Sequence, residues 1–355
     1  MKRFATLFLL SLACGAGKYK APAPLPSIAL PTGDKLNPYD PAKPGLARPA
    51  GMADLNGKAW VALNNMDAGY MVRGPGFLAA VVPSTGATAL IDLGGADERR
   101  CKNAGFVRVG DNKLYVTCAG DYSDGSGTAI VEVDPIAGAV TRSVSAPISP
   151  AGVAAAPTRI WFGDGASGHL YAIDKASFAV TGAPVPIQCP AAGYSTTNDV
   201  AVIGGDLYAI CSNDQGGVLS RLDASTGAAK GTADIGPIGV ALTQTGDGRI
   251  AIVSGGDNKL RLVTVSGTKM TVEVAYTFAQ ATSLQDVRAR DQFLFTVASG
   301  TNTVEKIDLS SGAKLLAEVN VGDGAGPWNI LPLDDDQAIV SNWMSNTLVG
   351  VKWPH

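Results

Sequence analysis

The sequence predicts an all-β protein assembled from seven copies of one unit. Short runs of β-branched and aromatic residues recur along the chain, separated by turns of Gly, Asp and Pro. The 43 Gly and 21 Pro residues are many for a helical protein and suit a chain of hairpins. From residue 49 to residue 355 the pattern returns about every 44 residues, a period typical of four-stranded blades. We therefore predict a seven-bladed β-propeller of four-stranded antiparallel blades.

The unit is clearest over residues 113–144. Three runs in it, at 113–118, 128–134 and 139–144, read as a meander of strands that we name B, C and D. A strand A, rich in Gly and small residues, precedes B in every copy and suits the crowded position beside the ring axis. Strand B carries one anchor residue per copy. These anchors are Trp60, Tyr115, Trp161, Tyr208, Ala251, Phe295 and Ile339.

The last copy ends early. It has strands A, B and C but no strand D, so the ring would keep an open edge. The apolar run at residues 25–30, or another piece of the segment before the first copy, is expected to supply that strand and close the ring.

Short motifs give the copies a family resemblance. They are the Leu-Tyr-Val-Thr run at 114–117, the Pro-x-Gly-Val start of strand A at 150–153 and the Ile-Asp-x-x-x-Gly turn at 307–312. Over nearly all of residues 49–355 the chain resembles the YVTN-type seven-bladed β-propeller repeats of exported bacterial proteins. Copies 1 and 5 depart from the turn, and copy 5 has Ala251 where an aromatic residue is usual. The resemblance implies the fold but no single function, since its relatives include lactonases and subunits of quinone-linked dehydrogenases.

Residues 1–14 are predicted to be an export signal. A positively charged start precedes an apolar run at 4–13, which is too short to span a bilayer of about 30 Å. Cys14 then resembles the lipidated cysteine of a bacterial lipobox, although Ser11 stands where that motif usually has Leu. We expect lipidation at Cys14, with plain secretion as the alternative. Gly15 replaces the Asp that retains such proteins in the inner membrane, which favours the outer membrane.

Residues 15–48 are rich in Pro and read as a semi-rigid linker between this anchor and the propeller at 49–355. The expected location is the cell envelope, as an outer-membrane lipoprotein facing the periplasm or the surface. Membrane contact is expected through the lipid anchor only.

Four further cysteines suggest disulfides in an exported chain, and four cysteines allow three pairings. The repeat selects one of them. Cys101 precedes strand A and Cys118 ends strand B of copy 2, while Cys189 and Cys211 take similar places in copy 4. Because the D–A and B–C connections of a meander lie at the same end of the blade, we predict Cys101–Cys118 and Cys189–Cys211. A metal site is the minor alternative, and we expect none because no Cys-x-x-Cys or nearby His is present.

The composition excludes several kinds of function. A formal charge of −3 and a pI near 5.4 give no electrostatic reason to bind nucleic acid. The two histidines, His169 and His355, are too few for a multi-His metal site and make a Ser-His-Asp triad improbable. The Gly-rich fragments are turns without a following helix, so no phosphate loop is present. We expect no cofactor.

The candidate site lies where the B–C turns and the D–A segments meet at one face of the ring. Polar residues converge there, although Asn and Asp are also simply good turn formers. The longest B–C insertion, residues 67–76 of copy 1, adds candidate partner contacts at the same face. The candidate ligand-binding residues at the channel mouth are Arg99, Arg100, Asn198, Asp199, Gln285, Asp286, Trp328 and Asn329, and the candidate partner contacts are Tyr70, Arg73 and Trp343.

Three functions fit this sequence. The first is a monomeric binding or scaffold propeller whose B–C and D–A face contacts a protein, peptide or glycan of the cell envelope. The second is a lactonase-like hydrolase or a dehydrogenase-associated propeller with a site in the central channel; the scarcity of His argues against it. The third is a structural surface protein without a discrete ligand.

Overall fold

A computed structural model of the chain describes residues 27–354 except 34, 39, 41, 43, 96–99 and 279–282. The described residues form 28 β-strands in seven four-stranded sheets. Among them no helix is long and apolar enough to cross a membrane.

Each sheet is one blade, and its strands follow one another in chain order. Strand A is β2 (Pro49–Leu55), β6 (Ala104–Gly110), β10 (Pro150–Ala155), β14 (Thr196–Ile203), β18 (Gly239–Gln244), β22 (Leu284–Arg290) and β26 (Pro327–Pro332). Strand B is β3 (Lys58–Leu63), β7 (Lys113–Ala119), β11 (Arg159–Asp164), β15 (Asp206–Ser212), β19 (Ile250–Ser254), β23 (Phe293–Ala298) and β27 (Gln337–Asn342). Strand C is β4 (Phe77–Val81), β8 (Thr128–Asp134), β12 (His169–Asp174), β16 (Gly217–Asp223), β20 (Lys259–Ser266), β24 (Thr303–Asp308) and β28 (Thr347–Lys352). Strand D is β5 (Thr88–Asp92), β9 (Ala139–Ser145), β13 (Ala179–Pro186), β17 (Ala229–Asp234), β21 (Lys269–Thr277) and β25 (Lys314–Asn320) in the first six blades.

All strand pairs within the blades are antiparallel neighbours. Strands A of successive blades also contact one another around the axis, as β2 does with β6 and with β26. The prediction of a seven-bladed, all-β propeller is thereby confirmed.

The core lies between neighbouring blades. Strand B is buried on both faces because a neighbouring blade packs on each side of it, and its anchors Trp60, Tyr115 and Trp161 are at most 1% exposed. Trp60 packs with Val107 of the next blade's strand A. Both tryptophan anchors have their indole nitrogens satisfied, since Trp60 donates to the carbonyl of Leu55 at 3.0 Å and Trp161 to that of Ala224 at 2.7 Å. Apolar packing between blades therefore holds the ring.

The seventh blade takes its fourth strand from the other end of the chain. The short strand β1 (Ile28–Ala29) pairs with β28, with Ile28 opposite Leu348 and Ala29 opposite Thr347. It occupies the place of the strand D that the last copy lacks. Ile28 and Leu30 are each 6% exposed and pack against blades 1 and 7, so hydrophobic burial adds to the hydrogen bonds that close the ring.

The segment between β1 and β2 also packs on the propeller. Leu36 and Ala47 are fully buried in the same apolar cluster. The amide of Gly33 donates to the carbonyl of Gly45 at 2.9 Å, which folds the segment back on itself. Residues 27–48 thus belong to the folded unit as far as they are described, whereas the export signal, Cys14 and the linker up to residue 26 lie outside the described residues.

Both predicted disulfides are present. Cys101–Cys118 and Cys189–Cys211 have Cα–Cα distances of 5.3 Å and 5.1 Å. Each joins the segment before strand A to the end of strand B in one blade, at the face that carries the candidate site. Closing loops of 17 and 22 residues stabilises the fold by about 3 kcal/mol each in the chain-entropy account. Two such bonds are typical of chains that fold in an oxidising compartment.

Candidate functional site

A cavity of about 520 Å³ opens on the axis at the face formed by the B–C and D–A connections. All seven blades contribute to its lining. Its volume falls in the range typical of small-molecule sites.

Strand A builds the cavity wall through a bulge near its start. The register of the A–B pairing shifts there in every blade, for example between Thr197 and Asp199 in β14. Such a bulge re-aims the side chains that follow it. Asp199, Asp286 and Asn329 are the first residues to pair again after the bulge in β14, β22 and β26. Gly51, Gly105 and Gly152 lie within the bulge of β2, β6 and β10.

The Asp and Asn residues at this position link neighbouring blades. Asp199 Oδ2 accepts the amide of Leu242 at 3.1 Å. Asp286 and Asn329 do the same for the next blade, at 3.1 and 3.0 Å. In the bulges of β2 and β10 the next blade's backbone comes too close for a side chain: a Cβ on Gly51 would lie 2.6 Å from the carbonyl oxygen of Gly105, and one on Gly152 would lie 2.8 Å from the amide nitrogen of Val200. These strand A residues therefore first hold the ring together.

Two ion pairs lie beside the cavity. Arg108 Nη2 is 3.0 Å from Asp199 Oδ1, and Arg288 Nε is 3.0 Å from Asp286 Oδ2. Burial raises the pKa of the Asp199 carboxyl, although the charge of Arg108 opposes this effect. Burial, and next the charge of Arg288, lower the pKa of the Arg108 guanidinium. Each arginine is thus matched by one aspartate, and the four groups carry no net charge when all are ionised.

Sequence reasoning missed both arginines. Arg288 follows Asp286 by two residues in β22, so both side chains are on the same face of the strand. Applying that alternation to strand A would have found Arg288. The bulge in β6 breaks the alternation before Arg108, which hides it.

Asn103 is a second residue that sequence reasoning missed. It lines the cavity, is 3% exposed and has a positive φ of 56°. Its Nδ2 has no hydrogen-bond partner among the described residues. A buried donor without a partner costs about 1–3 kcal/mol. Asn103 thus places a side-chain amide without a partner in the wall of the cavity.

An aromatic ledge, formed by Tyr70, Trp343 and Trp328, borders the cavity. The rings of Tyr70 and Trp343 stack with centroids 5.3 Å apart and planes 7° apart, and Trp328 lies 6.0 Å from Trp343. The buried Arg48 guanidinium lies 4.8 Å from the Trp343 ring centre and 5.1 Å from that of Tyr70. Trp343 donates its indole N–H to Asn64 Oδ1 at 2.6 Å. The contacts with Arg48 and Asn64 therefore hold the aromatic ledge in place.

The insertion in blade 1 shapes the outer end of this ledge. Tyr70 has a φ of 65°, a conformation that bulky residues rarely adopt and that the surrounding contacts must maintain. Arg73 pairs with Asp67 within the same loop. Asn37 donates to the carbonyl of Arg73 at 2.5 Å, which ties the loop to the N-terminal segment.

The structure separates the sequence-predicted residues into two groups. The first group lines the cavity and consists of Asn198, Asp199, Gln285, Asp286, Trp328, Asn329 and Trp343. The other group does not. Arg100 donates to the carbonyl of Leu93 at 3.2 Å, Arg73 faces Asp67, and Tyr70 lies on the ledge beside the cavity. Arg99 is outside the described residues.

The cavity is equipped for hydrogen bonding and stacking. Among the described residues no group of three or more His, Cys, Asp or Glu side chains could hold a metal ion. No described lining residue is a histidine. His169 begins β12, with its Nδ1 2.8 Å from Ser167 Oγ.

No family model matches the chain, and no curated protein matches its sequence. Solved structures do match. A streptogramin B lyase structure has a TM-score of 0.68 at 14% identity, covering 93% of this chain and 97% of that chain. A catalytically inactive histidine-to-alanine variant of virginiamycin B lyase from Staphylococcus aureus, with quinupristin, gives 0.67 at 13%, covering 93% and 99%. The β-propeller domain of Cps50 (Swd1) from Myceliophteria thermophila gives 0.66 at 13%, covering 86% and 97%.

These likenesses show the fold. At such identities they do not carry an activity from those proteins to this chain.

Proposed function

We propose that this protein is an exported, lipid-anchored propeller of the YVTN type that binds a ligand in its central cavity. The observation that carries the proposal is the cavity of about 520 Å³ to which every blade contributes side chains. Sites of this kind are typical of loops held by a rigid scaffold. The bonds between neighbouring strands A fix the wall before a ligand arrives, which lowers the entropic cost of binding.

The alternative is a lactonase-like hydrolase or a dehydrogenase-associated propeller with a channel site. Asp199 is its best candidate base, because burial raises the pKa of that carboxyl. Both oxygens of Asp199 are already engaged, however: Oδ1 accepts from Arg108 and from the amide of Val200, and Oδ2 accepts from Leu242. A carboxylate held in this way positions strands better than it takes up substrate protons, and the geometry therefore favours binding.

The envelope location rests on the N-terminal sequence and on the two disulfides. Lipidation at Cys14 would anchor the propeller to the outer membrane, facing the periplasm or the surface. A Cys14→Ser variant should lose its lipid and leave the detergent phase on Triton X-114 partitioning. If the variant partitions as the wild type does, the proposed anchor is wrong.

The expected ligand is a protein, peptide or glycan of the envelope. The test is affinity capture from an envelope extract, with bound proteins and glycans identified by mass spectrometry. Trp328→Ala and Gln285→Ala are the informative variants, because both side chains line the cavity and are not buried. Asp199 and Asp286 are unsuitable since their loss would disturb the contacts between blades.

Tyr194→Ala is the matched control, because Tyr194 is 71% exposed and does not line the cavity. We expect the captured ligand to be lost from the two cavity variants and kept by the control. Equal capture by all four proteins would remove the support for a cavity site.

A further inference from the structure

The charged groups of the cavity are satisfied within the protein. Asp199 and Asp286 each have an arginine partner and a backbone amide of the next blade. The side chains of Arg108 and Arg288 are only 18% and 19% exposed. A charged ligand would have to compete with these pairs in a site that is already balanced. The arrangement therefore favours a ligand without net charge.

The remaining polar lining is made of amides and hydroxyls. Asn103 is the sharpest of these, because its Nδ2 is buried and unpartnered among the described residues. A hydroxyl or a carbonyl oxygen of a ligand is a suitable acceptor for such a donor. Thr196 donates to Asn198 on the same wall, and Asn198 donates to Ser212 and to the carbonyl of Gly239. Gln285 also lines the cavity, with its Nε2 bonded to Ser283 and Ser299. The remaining polar lining is thus neutral, which suits a ligand with neutral hydrogen-bonding groups.

The apolar contribution comes from aromatic faces. Trp328 is 43% exposed, and its plane is tilted by 35° from that of Trp343, so stacking within the ledge leaves part of the ring uncovered. Tyr122, 71% exposed, lines the cavity from blade 2. A ligand that meets these rings needs a flat apolar face of its own.

We propose that the cavity binds a neutral saccharide, with one sugar ring on Trp328 and a sugar hydroxyl accepting from Asn103. A pyranose presents C–H groups on its faces and hydroxyls around its edge, which matches an aromatic ledge beside a wall of amides. The inference rests on the proposed binding function and specifies the ligand class of the same cavity.

The inner strands give a peptide little to pair with. An extended peptide adds to a sheet through a free row of amides and carbonyls. In this ring a bulge interrupts every strand A, and side chains of the preceding blade already bind the amides of Met52, Leu242 and Ile330. The edge that faces the cavity therefore lacks a continuous ladder.

The test measures binding of chitotriose, cellotriose, maltotriose and mannotriose by titration calorimetry, with trigalacturonate and trialanine as charged and peptide probes. At least one neutral trisaccharide should bind the wild type. Trp328→Ala and Asn103→Gly should each weaken that binding by about tenfold or more, the loss of one ring contact or one hydrogen bond. Tyr194→Ala should leave it unchanged.

Asn103→Gly also separates binding from folding. Glycine adopts a positive φ without strain, and the substitution removes an unsatisfied donor. The thermal midpoint should therefore stay the same or rise while binding falls.

Failure of all four neutral trisaccharides to bind overturns the saccharide inference. Binding of trigalacturonate or trialanine instead, lost in Trp328→Ala, also overturns it but leaves the cavity as the binding site. Neutral trisaccharide binding that neither variant weakens contradicts both this inference and the proposed cavity site.

Discussion

Replacing Glu305 by Gln should stabilise the protein at neutral and alkaline pH. Glu305 lies on β24 and is fully buried. Its carboxylate accepts hydrogen bonds from the hydroxyls of Thr296 at 2.6 Å and Thr303 at 2.8 Å, but no cation faces it among its described partners. Across the sheet its Cα partner is Glu318, a second acid. Glu132, the buried glutamate of blade 2, pairs instead with Arg142.

The free energy follows from the pKa of this carboxyl. Burial raises the pKa of Glu305 from 4.5 to about 7, against the hydrogen bonds of the two threonines. Between those values the folded protein keeps a proton that the unfolded chain releases, so stability falls as pH rises. The contribution is fully present below the unfolded pKa and is lost above the folded one. The difference between these limits is about 3 kcal/mol.

Glutamine keeps the shape of the side chain but does not ionise. Its NH2 group replaces one acceptor oxygen, and the hydroxyl of one threonine can accept from it instead. The free energy of unfolding of Glu305→Gln and of the wild type should therefore be similar near pH 4 and differ by up to about 3 kcal/mol near pH 8. Urea unfolding across this range measures it.

Glu318→Gln is the matched control at an exposed position, and its effect should stay within about 1 kcal/mol. A Glu305→Gln protein that is less stable than the wild type near pH 8, or that differs from it equally at every pH, would refute the reasoning.

Three further substitutions test the ring. Replacing Cys101 and Cys118 together by Ser should lower the free energy of unfolding by about 3 kcal/mol, measured by urea unfolding under non-reducing conditions. Ile28→Asp places a charge in the buried ring closure and should make β1 a site of rapid proteolysis, whereas an unchanged digestion pattern would argue against that closure. Arg108→Met leaves Asp199 buried without its cation and should cost about 3–5 kcal/mol, which a second change of Asp199 to Leu should partly restore in a double-mutant cycle.

The fold could be predicted because each copy of the repeat shows the same strand pattern independently. Seven similar periods fix the number of blades, and the place of a cysteine within its copy fixes its partner, as for Cys189 and Cys211. Local sequence signals and the overall topology agree along most of the chain. A fold can be predicted from the sequence where they agree. The face that carries the candidate cavity could also be predicted, because the D–A and B–C connections of every blade lie at the same end.

The contacts within the cavity were less accessible to sequence reasoning. The Pro-rich composition of residues 15–48 gives no sign that Leu36 becomes fully buried, because burial there depends on a loop almost thirty residues away. The pairing of Arg108 with Asp199 joins blades 2 and 4 across a sequence separation of 91. In the sequence Asn103 begins a weak form of the strand A start, and only the packing around it leaves its side-chain amide unpaired.

Asp199 and Asp286 were predicted to be ligand-binding residues, yet the structure gives them a different role. Their carboxylates join strands A of neighbouring blades and neutralise two arginines. Their hydrogen bonds and charges are therefore already used within the ring. The groups left for a ligand are those that the ring does not use: the face of Trp328 and the amide of Asn103. Convergence on an axis therefore does not by itself identify a ligand-binding residue. A ligand-binding residue is distinguished by an atom that the protein leaves unpaired or uncovered. Only the folded structure reveals such an atom.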